Sequence, residues 1–374
     1  MVAGALGGEG DSRRGEGSLT PRLCNVLVVQ TWGVGDMIMT TPMLLALRRR
    51  RPDARITLLA YDRVAAEPMH GLVDDIRVVA PFTPTIAGAA RAIAYCRTLR
   101  RDRFDAAIVA TTIASRFAPL LRFVAGVPVV VGDTLTGRGF GYTHVRRRTE
   151  RHRVAANVDL LRSLVSDAEI SGLYFHVDAD SARLADETWA RLGLTNRQVL
   201  GIHPGSNPRL GHDKRPQPET LRRIMRSLLA ANTDARIALL IGPHEQDVST
   251  QLAVDDPRVV TIEQMPLPAV ASIVARMRAL LAGDSGLGHV AAAMNVPTIT
   301  LAGPTAVSTT HPWSDRNVIV RTRETLSCMP CYGTPLYGRC PYGTRCMRTI
   351  DDDDILAALL PHFASVNAPV TACG

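Results

Sequence analysis

Aromatic side chains are scarce in this chain, at 5% of 374 residues, and lysine is nearly absent: the 43 basic residues are almost wholly arginine. The few aromatics do not interleave with the basic runs, so the stacking platform that a single-stranded nucleic acid needs is missing. No nucleic-acid partner is expected. Long hydrophobic runs are missing too, and none reaches the roughly 18 uncharged apolar residues of a membrane span. Residues 1–20 are rich in Gly, Ser and Arg and have no apolar centre, so they read as a disordered tail rather than a signal peptide. The expected compartment is the cytoplasm, with membrane contact, if any, peripheral and at the inner face.

What is present fits a globular enzyme. Hydrophobic residues make up 46% and charged residues 21%, and the formal net charge of +8 favours anionic partners. The length accommodates two domains, each with a core of its own.

Short apolar runs alternate with helical patterns, which predicts an α/β fold with doubly wound parallel sheets. The first series is Leu23–Gln30, Arg55–Ala60, Ile76–Val79, Ala106–Ala110 and Val127–Val131. A second series repeats the logic at Val199–His203, Arg236–Ile241, Arg258–Ile262, Ala279–Gly283 and Val296–Leu301. The predicted domains are residues 21–175 and 176–350, followed by a helix and tail at 351–374. Two such halves in tandem place a cleft between the C-terminal ends of both sheets.

The motif Asp284-Ser285-Gly286-Leu287-Gly288-His289 follows one predicted strand and opens a helix. A strand that breaks there aims backbone N–H groups and a positive dipole end outward, which suits a phosphate or diphosphate. The residues read equally well as an Asp N-cap with glycines for chain reversal. The first turn, Gly33-Val34-Gly35-Asp36-Met37-Ile38, has Ile38 where a dinucleotide fingerprint needs its third glycine, and the carboxylate of Asp36 would repel a pyrophosphate. A nicotinamide or flavin enzyme is not expected on that ground. Asp36 then reads as a general base at a strand–helix junction or, more simply, as a helix-cap residue.

Four blocks in order resemble glycosyltransferases of family 9, whose best-known members are the heptosyltransferases of lipopolysaccharide core assembly. They are Gly33–Met37 leading to Thr41-Pro42; His203-Pro204-Gly205-Ser206 leading to Asp213-Lys214; Gly242-Pro243-His244-Glu245; and Asp284-Ser285-Gly286 with His289, Pro297 and Gly303-Pro304-Thr305. The resemblance implies a GT-B architecture, with the acceptor in the N-terminal half and a nucleotide sugar in the C-terminal half. It also implies an inverting, metal-independent transfer, with ADP-heptose as the favoured donor and an anionic glycan or glycolipid as acceptor. Asp36 would be the catalytic base. Ser206, Lys214, Glu245, Asp284, Ser285, Gly286, His289 and Thr305 would hold the donor, with Glu245 on the ribose. Thr40 and Arg116 would meet the acceptor. Two alternatives remain: another nucleoside-diphosphate sugar with a secondary metabolite or protein as acceptor, and a metal-stabilised nucleic-acid-binding protein.

Cys328, Cys331, Cys340 and Cys346 fall within nineteen residues, laced with Pro and Gly. Such density in a cytosolic chain reads as a structural Zn or Fe site, against reduced or disulfide-paired thiols. No cofactor is expected for catalysis. Asp351–Asp354 read as helix N-terminal acids ahead of Ile355–Phe363, and the resemblance has that last helix crossing back to brace the first domain.

Overall fold

A computed structural model describes residues 23–111, 117–206, 211–243 and 245–363. It contains two six-stranded sheets. The first is built from β1 (Asn25–Val29), β2 (Arg55–Ala60), β3 (Asp75–Val78), β4 (Ala106–Val109), β5 (Val129–Thr134) and β6 (His144–Arg147). The second is built from β7 (Gln198–His203), β8 (Ala235–Leu240), β9 (Val259–Ile262), β10 (Ala279–Gly283), β11 (Thr298–Leu301) and β12 (Asn317–Val320). All pairings are parallel, in the orders β3-β2-β1-β4-β5-β6 and β12-β11-β10-β7-β8-β9.

Counted from its own first strand, each sheet has the same order, so the chain repeats one doubly wound unit. Strands buried on both faces must be apolar throughout, as Val26 to Val29 and Ala279 to Leu281 are, all fully buried. The winding direction reverses between β1 and β4 in one sheet and between β7 and β10 in the other. Crevices for ligands open at those points, beyond the C-terminal strand ends.

Eight helices of eight residues or more are present among the described residues: α1 (Val34–Arg50), α2 (Ile86–Leu99), α3 (Arg153–Arg162), α4 (Ala179–Arg191), α5 (Pro218–Ala231), α6 (Leu267–Val274), α7 (Gly286–Ala293) and α8 (Asp352–Leu359). Helix α1 tolerates Pro42 in its interior because Thr41 compensates. Proline has no N–H for the carbonyl of Ile38, and the Thr41 hydroxyl donates to that carbonyl at 2.7 Å instead. The same hydroxyl accepts from the N–H of Tyr174 at 3.0 Å, tying in the segment that leads to the second sheet. A small apolar cluster of Ile38, Phe175, Ala271 and Val290 joins the two halves where α1, α6 and α7 meet.

Two strands, β6 and β12, were not legible as apolar runs. Each is a four-residue edge strand with partly exposed side chains, so the burial that marks inner strands is missing. Helix α8 corrects another expectation. Asp351 does cap it, accepting from the N–H of Asp353 at 3.0 Å. The helix does not cross back, however. Ile355 and Leu359, with Phe363 beyond it, enter the core of the second half, and Arg223 of α5 pairs with Asp352. No described helix is long and apolar enough to cross a membrane.

Candidate active site

Helices α1 and α7 start at the two crevices. Gly33 and Ser285 are their extended N-cap residues, and neither start is closed by a side-chain hydrogen bond. The cap readings of Asp36 and Asp284 therefore fail: Asp36 is the third helical residue, and Asp284 precedes the cap. The uncapped N–H groups and positive dipole ends of both helices are left for a partner.

The two starts touch. A β-carbon on Gly35 would lie 2.7 Å from His289 Cδ2, and one on Gly286 would lie 3.2 Å from Val34 Cβ. Larger residues at either position would force the halves apart.

Asp36 is partly buried at this junction. Burial raises its pKa to about 6; Arg153 and Lys214 pull it down, and Asp284 pushes it up. Arg153 opens α3 and is held 3.5 Å from Asp133, which Arg148 grips through both oxygens at 2.9 and 3.0 Å. Sequence reasoning missed Arg153, which stands among many arginines with no motif to mark it.

Lys214 is the single lysine of the chain. Its Nζ stands 3.5 Å from Asp284 Oδ2 and 4.6 Å from the ring centroid of Tyr332. Gly283 makes this approach possible, because a β-carbon there would lie 2.5 Å from the Lys214 carbonyl oxygen. Glu245 is buried next to the turn after β7. Its Oε2 accepts from the N–H of Gly242 at 2.8 Å and lies 3.7 Å from His203 Nδ1. A β-carbon on Gly205 would sit 1.5 Å from Glu245 Oε1, so only glycine leaves room for the carboxylate.

Ser206, Asp284, Ser285, His289 and Thr305 are all buried. Ser285 Oγ, His289 Nδ1 and Thr305 Oγ1 have no hydrogen-bond partner among the described residues. An unsatisfied buried polar atom costs about 1–3 kcal/mol, so Ser285 Oγ and His289 Nδ1 at the α7 start, with Thr305 Oγ1 in the turn after β11, point to a partner that arrives from outside. Burial holds the pKa of His289 near 4, which leaves its imidazole neutral at pH 7.

Other expected residues fall elsewhere. Thr40 is fully buried, and its hydroxyl donates to the Asp36 carbonyl at 2.8 Å and accepts from Gln30 at 3.0 Å and Asn157 at 3.2 Å. It braces the turn beneath Asp36 and has no exposed surface. Arg116 lies outside the described residues. Cys328, Cys331, Cys340 and Cys346 are free thiols, and no group of three or more His, Cys, Asp or Glu is gathered for a metal among the described residues. Cys331 and Cys346 are buried, and burial, then the neighbouring Cys331, Cys340 and Cys328, pushes the Cys346 thiol up to about 11. The expected Zn or Fe site thus finds no support among the described residues. A cavity of about 740 Å³ lies at the far end of α7, lined by Ala292, Asn295, His311 and Trp313, away from Asp36.

Two doubly wound domains that meet at a polar, uncapped junction between their switch points have the GT-B fold. The profile of glycosyltransferase family 9 (heptosyltransferase) matches residues 92–336. The chain belongs to this family and is a glycosyltransferase. Lipopolysaccharide heptosyltransferase 1 of Salmonella typhimurium is 26% identical over 294 residues, spanning 75% of this chain and 88% of the relative. Among solved structures, a family 9 glycosyltransferase from Veillonella parvula superposes with a TM-score of 0.76 at 21% identity, covering 91% of this chain and 97% of the other. The Escherichia coli heptosyltransferase WaaC with ADP gives 0.65 at 20% identity, covering 90% and 99%.

Proposed function

We propose that this glycosyltransferase moves a heptose from an ADP-heptose donor to a hydroxyl of a lipopolysaccharide core or similar anionic glycan, with inversion and without a catalytic metal. One observation carries the reading: Asp36 shares its electrostatic surroundings with Lys214 and Asp284, next to the uncapped α7 start with its unpartnered Ser285 Oγ and His289 Nδ1. The names of the curated relatives and the ADP in the WaaC structure support heptose and ADP.

In this reading residues 21–175 take the acceptor and 176–350 the donor. The acceptor hydroxyl gives its proton to the Asp36 carboxylate as its oxygen attacks the anomeric carbon. The bond from that carbon to the phosphate oxygen breaks, and ADP departs with the electron pair. Lys214, Ser206, Ser285, Thr305 and the N–H groups of Gly286 and its neighbours meet the growing negative charge, a task a divalent cation would otherwise perform. Neutral His289 offers a further donor from Nδ1, and Glu245 accepts from the ribose hydroxyls.

A thermal-shift series with ADP, GDP, UDP and TDP in the presence of a chelator tests this reading on the wild type and Lys214→Ala. ADP should stabilise only the wild type, and ADP-heptose with a core acceptor should release ADP. A preference for another diphosphate would move the donor to a different sugar. No shift with any of the four would sink the nucleotide-sugar reading.

A further inference from the structure

The cysteine-rich segment has no part in the chemistry above, yet it is fastened to the same site at several points. The N–H groups of Cys331 and Tyr332 both donate to the Pro304 carbonyl at 2.9 Å, just before Thr305. Farther along, the N–H of Gly338 donates to Asp213 Oδ2 at 2.9 Å, one residue from Lys214. Cys346 and Met347 press on Gly303, where a β-carbon would lie 2.8 Å from Cys346 Sγ and 2.7 Å from Met347 Sδ. The segment is a strap drawn across the end of β11 and the Lys214 loop.

What the strap delivers is Tyr332. Its ring takes one side of the Lys214 ammonium at 4.6 Å, while Asp284 takes another at 3.5 Å. Tyr337 packs edge-on against Tyr332, with centroids 4.8 Å apart. Although Tyr332 is 41% exposed, partial burial of its hydroxyl, then the negative charges of Asp36 and Asp284, push that hydroxyl above its ordinary pKa.

A lysine stem has four rotatable methylenes, and with Asp284 alone the ammonium would fold onto that carboxylate. A ring face offers attraction without a full charge, so the ammonium stays free to turn toward an incoming phosphate. A guanidinium would stack flat on the ring, whereas the compact ammonium keeps its three donors free to rotate.

We propose that Tyr332 is a positioning residue for Lys214, and that the cysteine-rich strap exists to hold it there. This inference rests on the reading of Lys214 as a diphosphate ligand. The experiment titrates ADP into the full-length protein, comparing wild type, Tyr332→Leu, Tyr332→Phe, Lys214→Met and the Tyr332→Leu/Lys214→Met double variant. Tyr332→Leu should weaken ADP about 5- to 30-fold, the range of a partly desolvated cation–π contact, and Tyr332→Phe should stay within about two-fold of wild type. With Lys214 already Met, Tyr332→Leu should cost less than about two-fold, because the pair acts as a unit. Equal losses in both backgrounds would reduce Tyr332 to a structural role and overturn the proposal. So would a loss on Lys214→Met with none on Tyr332→Leu. A wild type that binds no ADP would instead fail the donor reading itself, and this proposal with it.

Discussion

The backbone of Gly35 lies against the imidazole edge of His289, so close that a single β-carbon would stand 2.7 Å from the ring. One residue begins the first helix of the first half, and the other lies in the first turn of the helix at the second half's switch point. Through this contact the position of Asp36 depends on α7. Gly35→Ala should force the halves apart and lower kcat at least ten-fold, a loss typical of sub-ångström to ångström misplacement, with ADP affinity changed less than about three-fold. Steady-state kinetics and an ADP titration separate the two effects.

Asp36→Asn should lower kcat by about 10²–10⁴, the usual contribution of a positioned base, while ADP still binds. Because burial lifts the Asp36 pKa to about 6, wild-type kcat/KM should rise with pH through 6 and then level off. A pH profile with no limb near that value would remove Asp36 from the role of base.

Lys214 is the only lysine, so an amine-acylating reagent can modify one side chain besides the chain's N-terminal amine. ADP should slow modification of Lys214 several-fold and leave the terminal amine unaffected, as read by peptide mass spectrometry. Lys214→Arg should not restore the affinity lost in Lys214→Ala, since the slot between Asp284 and Tyr332 suits a compact ammonium.

Glu245 fits only because position 205 has no side chain. Gly205→Ala should displace the carboxylate and weaken ADP and adenosine alike, whereas Lys214→Ala should weaken ADP and spare adenosine. Parallel titrations with the two ligands distinguish a ribose contact from a phosphate contact.

Two buried histidines set the acid limit of stability. His152 accepts from the N–H of Val154 and donates from Nε2 to the His311 carbonyl at 2.8 Å, packed on Trp313. Burial lowers the pKa of His152 and of His289 from 6.5 to about 4. Between those values the unfolded chain binds protons that the folded chain refuses, so stability falls as pH drops from 6.5 toward 4. Asp36 acts in the opposite sense, since its raised pKa favours the folded state at low pH. Glu67, also raised by burial, acts in the same sense as Asp36, but both histidines are shifted across the whole window, and denaturation at pH 7, 6, 5 and 4 should register a net fall. His152→Gln should flatten it.

Much of this was legible in the residues because parallel strands buried on both faces must be continuous apolar runs. Arg55–Ala60 and Ala279–Gly283 read correctly to the residue. The edge strands β6 and β12 gave no such signal, being half exposed. The strand–turn–helix at Asp284-Ser285-Gly286 was visible as a motif, but cap and open anion site read alike until the geometry showed both helix starts uncapped.

The sequence by itself determined the doubly wound halves and the family, because periodicity and ordered motifs are local properties of the chain. Tertiary structure alone decided which distant groups share one field: Arg153 beside Asp36, His289 under Gly35, and Tyr332 beneath Lys214. It also drew the cysteine segment, with its four free thiols, across the Lys214 loop as a strap. Burial, ring contact and charge coupling depend on the packing of segments more than a hundred residues apart, and no spacing along the chain encodes them.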